Sequence, residues 1–141
     1  MIEIWERFIS CVPPRKTHQD TVRVGTNRKT GRGHIYTTKD VDDTWVALLA
    51  THAPPEPMTG PLCLYVDITW PWNNSDAKRV RNLKVVPHWK RPDLDNVCKA
   101  LFDAMTTTRW WLDDAQIAEL TVCKWWGGEP GIRLALKRCA P

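Results

Sequence analysis

One segment restricts the fold more than any other. In LCLYVDITW, residues 62–70, every second residue is a large apolar one. A period of two places these side chains on one face of a β-strand, so the segment is predicted to be a strand with one face in the core. Two later segments, IAELTVCKWW and IRLALKR, also alternate and are separated by the turn sequence GGEPG. This arrangement predicts a C-terminal β-hairpin.

Apolar residues recur at helical spacing in two other segments, KDVDDTWVALLATHA and DLDNVCKALFDAM. MIEIWERFI predicts a first strand that ends before Pro13-Pro14, and HIYTT at 34–38 is β-prone. Residues 15–33 are expected to form a loop, and residues 71–91 a long basic loop. The expected fold class is α+β: a small mixed sheet of about four to five strands with two to three helices, in a single domain over residues 1–141.

The basic residues are clustered along the chain. The net charge is +4, but residues 15–32 hold six basic residues against one acid, and residues 78–91 hold six against none. Such clusters are typical of a chain with a phosphate-bearing partner, and the alternative is two solvated charged loops. The candidate contacts are Arg15, Lys16, Arg79, Arg81, Lys84, Lys90 and Arg91.

The cysteine spacing and the length of the apolar runs bear on the cellular compartment of the chain. The five cysteines are scattered without a Cys-x-x-Cys pair, and the four histidines have no zinc-site spacing. We interpret them as reduced thiols in a reducing compartment. The first residues carry two acids and no apolar core, which is unlike a signal peptide. No apolar run approaches the roughly 20 residues needed to span a bilayer, so we expect a cytoplasmic chain without membrane contact.

Carboxylates are gathered in two places, RPDLDN at 91–96 and WWLDDAQ at 110–116. Each has an ordinary explanation, because Asp and Asn are favoured at helix caps and in first turns. The alternative is a site for a hard cation such as Mg²⁺, which prefers oxygen ligands and retains several waters. An EF-hand-like Ca²⁺ loop is excluded: such a loop needs a third ligand two residues after Asp95, a glycine at its sixth position and a late glutamate, whereas Val97, Cys98 and Lys99 follow Asp95-Asn96 here.

The string RPDLDNVCKALFDAM followed by WWLDDAQIAELTVCKW resembles the RusA family of Holliday junction resolvases, which are common in phages and prophages. The specific part of the resemblance covers residues 91–124. Asp-x-Asp-Asn alone is a weak signal, but the lysine four residues after the second Asp and the later Trp-x-Asp-Asp-x-Gln make it a strong one. The segment between residues 71 and 91 is longer than in the shortest family members, and the Trp125-Trp126 pair has no assigned counterpart.

The resemblance implies an activity and a site. Asp93, Asp95 and Asp114 match the family's Mg²⁺-binding catalytic aspartates, and Lys99 matches an essential lysine. Asn96 matches the asparagine of the motif, with a supporting role at the DNA. The family is a Mg²⁺-dependent homodimer that cuts four-way branched DNA and leaves nicks that ligase can seal. Mn²⁺ is the expected substitute metal, and no organic cofactor is expected.

Two further expectations concern DNA. A non-catalytic branched-DNA-binding protein with the same fold is the alternative function, since the basic stretches and tryptophans would suffice for it. Most of the nine tryptophans are expected in the core or in a dimer interface. Trp72 and Trp89, in the basic loop, are the candidates for stacking on bases.

Overall fold

The computed structural model describes residues 3–15, 22–37 and 42–140. Within these ranges no helix is long and apolar enough to cross a membrane. The elements, in chain order, are β1 (Ile4–Ser10), β2 (Val22–Thr26), β3 (Gly33–Thr37), α1 (Asp42–Ala50), β4 (Leu62–Pro71), α2 (Lys78–Arg81), β5 (Val85–Pro87), α3 (Leu94–Thr107), a 3-10 helix (Asp114–Gln116), β6 (Ile117–Gly127) and β7 (Gly131–Arg138).

Five of the strands form one mixed sheet in the order β1-β7-β4-β6-β5. β4 and β6 are parallel, and the other neighbouring pairs are antiparallel. The parallel pair requires a long crossover connection, which here contains α3. β2 and β3 pair with each other in a separate two-stranded sheet. The predicted α+β class with a small mixed sheet is confirmed.

The two C-terminal strands are antiparallel, but they are not neighbours. β4 lies between them and pairs with both, so the expected direct pairing of a C-terminal hairpin is wrong. The turn at 128–130 connects β6 to β7 across the end of β4, which lies between them. The alternation of apolar residues predicts that a segment is a strand, but it does not identify the strands beside it. β4 has the most completely buried pattern of the sheet strands and takes the central position.

The two segments expected to be loops contain short elements. Residues 15–33 include β2 and the first residue of β3, and residues 71–91 include α2 and β5. α2 has four residues and buries none of them, so it leaves no apolar periodicity in the sequence. β5 has three residues, lies at the edge of the sheet and pairs only with the last three residues of β6.

The core lies between the sheet and the packed helices α1 and α3. α3 has a buried apolar stripe that includes Val97, Leu101 and Met105, as its spacing predicts. Four tryptophans are at most 1 % exposed: Trp45, Trp70, Trp110 and Trp111. The core role expected of most tryptophans is therefore confirmed for these four.

One pair of cysteines departs from the sequence-based expectation. Cys63 in β4 and Cys139 after β7 are joined as a disulfide, with their Cα atoms 5.6 Å apart. The prediction of five reduced thiols is wrong for this pair, because the register of β4 against β7 brings together two cysteines that are 76 residues apart. Cys11, Cys98 and Cys123 are free.

His88 lies buried between two tryptophans, directly after β5. Its ring stacks on Trp126 at a centroid distance of 4.2 Å and meets Trp70 edge-on at 5.1 Å. Its backbone N–H donates to the Lys124 carbonyl, which extends the pairing of β5 with β6. Burial, together with the charges of Lys124 and Arg15, lowers the pKa of His88 from 6.5 to about 4.

We predict a pH-dependent stability that originates at His88. Because its folded-state pKa is depressed, the unfolded chain binds the proton more tightly between pH 6.5 and about 4. The contribution of the neutral ring is complete above about pH 6.5 and is lost as the pH falls towards 4. Urea midpoints measured from pH 7.5 to 4 should decline across this window, and His88→Gln should flatten the decline. His52→Gln is the control and should retain it; an unchanged profile in His88→Gln would contradict this origin.

Candidate functional site

Asp93 stands at the start of α3, directly after Pro92. It is the N-cap residue by backbone conformation, with ψ of 143°, and its carbonyl accepts the Val97 N–H at 3.0 Å. Its side chain, however, makes no capping hydrogen bond and the residue is exposed. The ordinary explanation of this aspartate as a side-chain cap therefore fails. Its carboxylate is available at the surface for another ligand.

Asp95, Asn96 and Lys99 follow on the first turns of α3. Asp95 and Lys99 are exposed and four residues apart, so they share one helix face. Asn96 is half-buried. Burial and the neighbouring Asp95 carboxylate together raise the pKa of the Cys98 thiol. Cys98 is therefore held as a neutral thiol, and the donors beside it are carboxylate oxygens, as a hard cation prefers.

Lys124 is a residue of this site that sequence reasoning missed. Its Nζ donates to the carbonyls of Lys90 and Pro92, at 2.7 Å each. Burial lowers its pKa, and the nearby Asp93 carboxylate opposes that shift. The signal was present in the sequence, because Lys124 interrupts the apolar alternation of Val122 and Trp126 in β6. A lysine at a core-facing register position has to find buried acceptors.

The predicted contacts Arg15, Lys90 and Arg91 lie around the same segment. Lys90 and Arg91 are exposed and directly precede Pro92 and Asp93. Arg15 is exposed and close enough to His88 to affect its pKa. The carbonyl of Pro13 accepts the Trp70 Nε1–H at 2.9 Å, which fixes the chain just before Arg15. Parts of both basic stretches are thus brought together, while Lys16 lies outside the described residues.

Arg79, Arg81 and Lys84 belong to α2 and to the segment that follows it, and all three are exposed. The Arg81 guanidinium donates to the Asn73 carbonyl at 2.8 Å, which holds α2 against the chain leaving β4. The first turn of α2 has no acidic residue. The segment 71–91 therefore presents a positive surface on the β5 side of the sheet.

Asp113 and Asp114 have different surroundings although they are adjacent. The Asp113 carboxylate accepts the Ala115 N–H at 2.8 Å, and the Gln116 side chain accepts the Asp113 N–H at 3.1 Å, which completes a capping box. Asp113 is therefore a cap. Asp114 is exposed and lines a surface hollow of about 410 Å³ with Asp103 and Thr107, in the C-terminal half of α3.

The described residues do not bring the three predicted metal ligands together. Asp93 and Asp95 are at the first end of α3, whereas Asp114 lies beside residues near its last turn. At a rise of about 1.5 Å per residue, Asp95 and Asp103 are about 12 Å apart along the axis. Within the described ranges no group of three His, Cys, Asp or Glu side chains could hold one metal ion.

A family model for the endodeoxyribonuclease RusA matches residues 12–137. The chain belongs to the RusA family. This confirms the resemblance drawn from residues 91–124, and it extends the RusA match over both basic stretches, the whole of α3 and most of the five-stranded sheet.

Curated relatives of this RusA-family chain include the crossover junction endodeoxyribonuclease RusA of Escherichia coli strain K12 and that of Enterobacteria phage 82. Each is 51 % identical over 39 residues, which is 28 % of this chain and 32 % of the relative. The match thus spans about a third of these relatives' length. An uncharacterized protein of Bacillus subtilis strain 168, YqaN, is 30 % identical over 99 residues, covering 66 % of this chain and 69 % of YqaN.

Lys124→Met is predicted to loosen the start of α3. The substitution removes two hydrogen bonds from a charged donor, each worth about 1.5–3 kcal/mol. Amide hydrogen exchange over residues 97–101, whose N–H groups are the first to be bonded within α3, should therefore accelerate by about tenfold or more. Lys137→Met, on β7, should leave exchange over residues 97–101 unchanged. If the two variants exchange alike at these amides, Lys124 does not hold this segment.

Proposed function

We propose that this chain is a divalent-metal-dependent, structure-selective endodeoxyribonuclease that resolves Holliday junctions by paired cuts during recombination and repair, in the cytoplasm of a bacterium or phage-infected cell. One observation supports this most directly. In a RusA-family chain, Asp93 and Asp95 are exposed at the start of α3, and Asp93 makes no side-chain capping bond. Lys90 and Arg91 directly precede Pro92 and Asp93, and Lys124 lies close enough to interact with the Asp93 charge. Carboxylates framed by cations suit a metal ion that meets a phosphodiester.

Asp93 and Asp95 fit a hard cation. Mg²⁺ commonly binds through one or two carboxylates together with waters and substrate phosphates, and both carboxylates are at the surface. We propose Mg²⁺, with Mn²⁺ as a substitute. The bound metal would polarise the phosphodiester and stabilise the leaving oxygen. Lys99, on the Asp95 face of α3, supplies a positive charge to the transferred phosphate, and Asn96 offers an amide donor.

We propose further that the enzyme is a homodimer in which Asp114 completes the site of the partner subunit. The separation of Asp114 from Asp93 along α3 argues against three ligands from one chain. In a C2 dimer whose α3 helices run antiparallel, the last turn of one helix faces the first turn of the other. Two equivalent sites related by that axis would make the two symmetric cuts that a four-way junction requires.

The non-catalytic branched-DNA-binding protein is the competing function. A family member that had lost catalysis would be expected to lack some of the metal-binding residues, whereas all three matching aspartates and Lys99 are present here. Mg²⁺-dependent scission of a synthetic four-way junction by the purified protein separates the two functions. Linear duplex of the same sequence is the matched substrate.

Asp93→Asn and Asp95→Asn are each predicted to slow junction cleavage by more than about 100-fold, since loss of a residue that only supports a metal ligand can already cost that much. Junction binding should be retained or strengthened, because a negative charge near phosphate is lost. Single-turnover cleavage and fluorescence anisotropy measure the two effects. Glu6→Gln, at the opposite edge of the sheet, is the control. Wild-type cutting rates in both variants would refute the assignment.

Mixed dimers are predicted to distinguish a shared site from a site within one chain. If Asp114 acts across the dimer, pairing Asp93→Asn with Asp114→Asn leaves one site intact and one doubly substituted. The mixture should regain nicking activity that neither variant has alone. If all ligands come from one chain, every site in the mixed dimer is defective and the mixture stays inactive. Nicked and linear products of a supercoiled cruciform plasmid report the result.

A further inference from the structure

A surface groove lies beside the proposed metal site, between α2, β5 and β6. It has a volume of about 460 Å³ and is lined chiefly by Val80, Leu83, Val86, Trp89, Lys90 and Trp126. This size is within the range of small-ligand sites. Much of the groove is formed by the segment 71–91. The sequence resemblance indicates that this segment is longer than its counterpart in the shortest RusA members.

The groove combines a buried aromatic floor with an exposed aromatic wall. Trp126 is only 7 % exposed and is fixed by stacking on His88. Trp89 is 78 % exposed and meets Trp126 edge-on at a centroid distance of 6.5 Å. An indole so exposed adds little to the core. It presents a flat apolar face on a rigid support, which suits a planar partner.

Positive charges outnumber negative ones around this aromatic surface; the Asp76 carboxylate, which accepts the Asn73 N–H at 2.7 Å, also lines the groove. The Lys90 ammonium lies 5.4 Å from the Trp89 ring centroid and 6.0 Å from that of Trp126. α2 adds Lys78, Arg79 and Arg81 along one side. A planar apolar group attached to an anionic backbone is complementary to both features, and a nucleotide of a single-stranded segment has this composition.

We propose that the groove receives one unpaired nucleobase of branched DNA, stacked on Trp89, with an adjacent phosphate beside Lys90. The proposal rests on the proposed function, since it assumes DNA at Asp93 and Asp95. Lys90 is three residues before Asp93, so their Cα atoms are at most about 11 Å apart. Phosphates along one strand of a duplex are about 3.4 Å apart along the axis. The stacked base would thus lie within about three nucleotides of the cut.

A second copy of this chain is a poorer occupant. A C2 contact is isologous, so Lys90 and α2 would face the same positive residues of the partner. Like charges placed together at an interface oppose association.

The bases of a linear duplex are paired and stacked inside the helix, whereas bases at a junction crossover are more easily unpaired. The groove would therefore favour branched DNA over linear DNA.

The test measures the affinity of Trp89→Ala for a four-way junction and for linear duplex, in Ca²⁺ to prevent cutting. Stacking of one base predicts a loss of about 5-fold to 150-fold on the junction, and less than about twofold on the duplex. Trp89→Phe should retain most of the affinity. 2-Aminopurine placed at successive crossover positions should change fluorescence on binding wild type at one or two positions, and this change should be absent with Trp89→Ala.

Phe8→Ala is the matched control, because it removes an exposed aromatic residue at the opposite edge of the sheet. It should leave both affinities unchanged. Equal junction affinity in wild type and Trp89→Ala, or equal losses on junction and duplex, would overturn the proposal. Conversion of Trp89→Ala to a monomer in light scattering would also overturn it, by making the groove a subunit contact.

The two proposals fail separately. A wild-type protein that cuts no junction in Mg²⁺ refutes the nuclease function, while the affinity and 2-aminopurine measurements still decide the groove. A wild-type protein that cuts junctions, combined with an unaffected Trp89→Ala, refutes the groove alone.

Discussion

The arrangement of the site depends on the contact between the Lys124 ammonium and the carbonyls of Lys90 and Pro92. β5 pairs with the end of β6, and the His88 N–H extends this pairing by donating to the Lys124 carbonyl. Beyond that point the side chain of Lys124 makes the next hydrogen bonds. A continuous line of hydrogen bonds thus runs from the sheet to Pro92, the residue before the N-cap of α3. It places Asp93 on a rigid support although the preceding segment is exposed, and rigid support is what a metal ligand requires.

The same line explains why the two basic stretches meet. The Trp70 indole binds the Pro13 carbonyl, and His88 packs between Trp70 and Trp126. Arg15 and Lys90 are therefore both held close to one aromatic cluster. Burial keeps His88 neutral near pH 7, so the cluster adds no positive charge of its own. The positive charge near Asp93 comes from arginine and lysine residues.

Local sequence predicted the parts of the site that depend on a few neighbouring residues. Pro92 set the start of α3, and the four-residue spacing put Asp95 and Lys99 on one face. The position of Asp114 could not be predicted in this way, because it depends on how the chain returns after α3 and on the cap formed by Asp113. Lys124 was missed because its acceptors are more than 30 residues away in the sequence. The insertion of β4 between the last two strands is likewise a long-range outcome.

The contrast between Asp113 and Asp114 bears on the proposed dimer. Asp113 satisfies the backbone of the 3-10 helix, so its neighbour is not required as a cap. Asp114 is nevertheless fixed, because the Gln116 side chain ties this connection to the carbonyls of Met58 and Gly60. A fixed, exposed carboxylate remote from Asp93 in its own chain is a suitable ligand for a second subunit. On the proposed homodimer, each metal site would exist only after assembly, so a lone subunit would not leave a single unpaired nick.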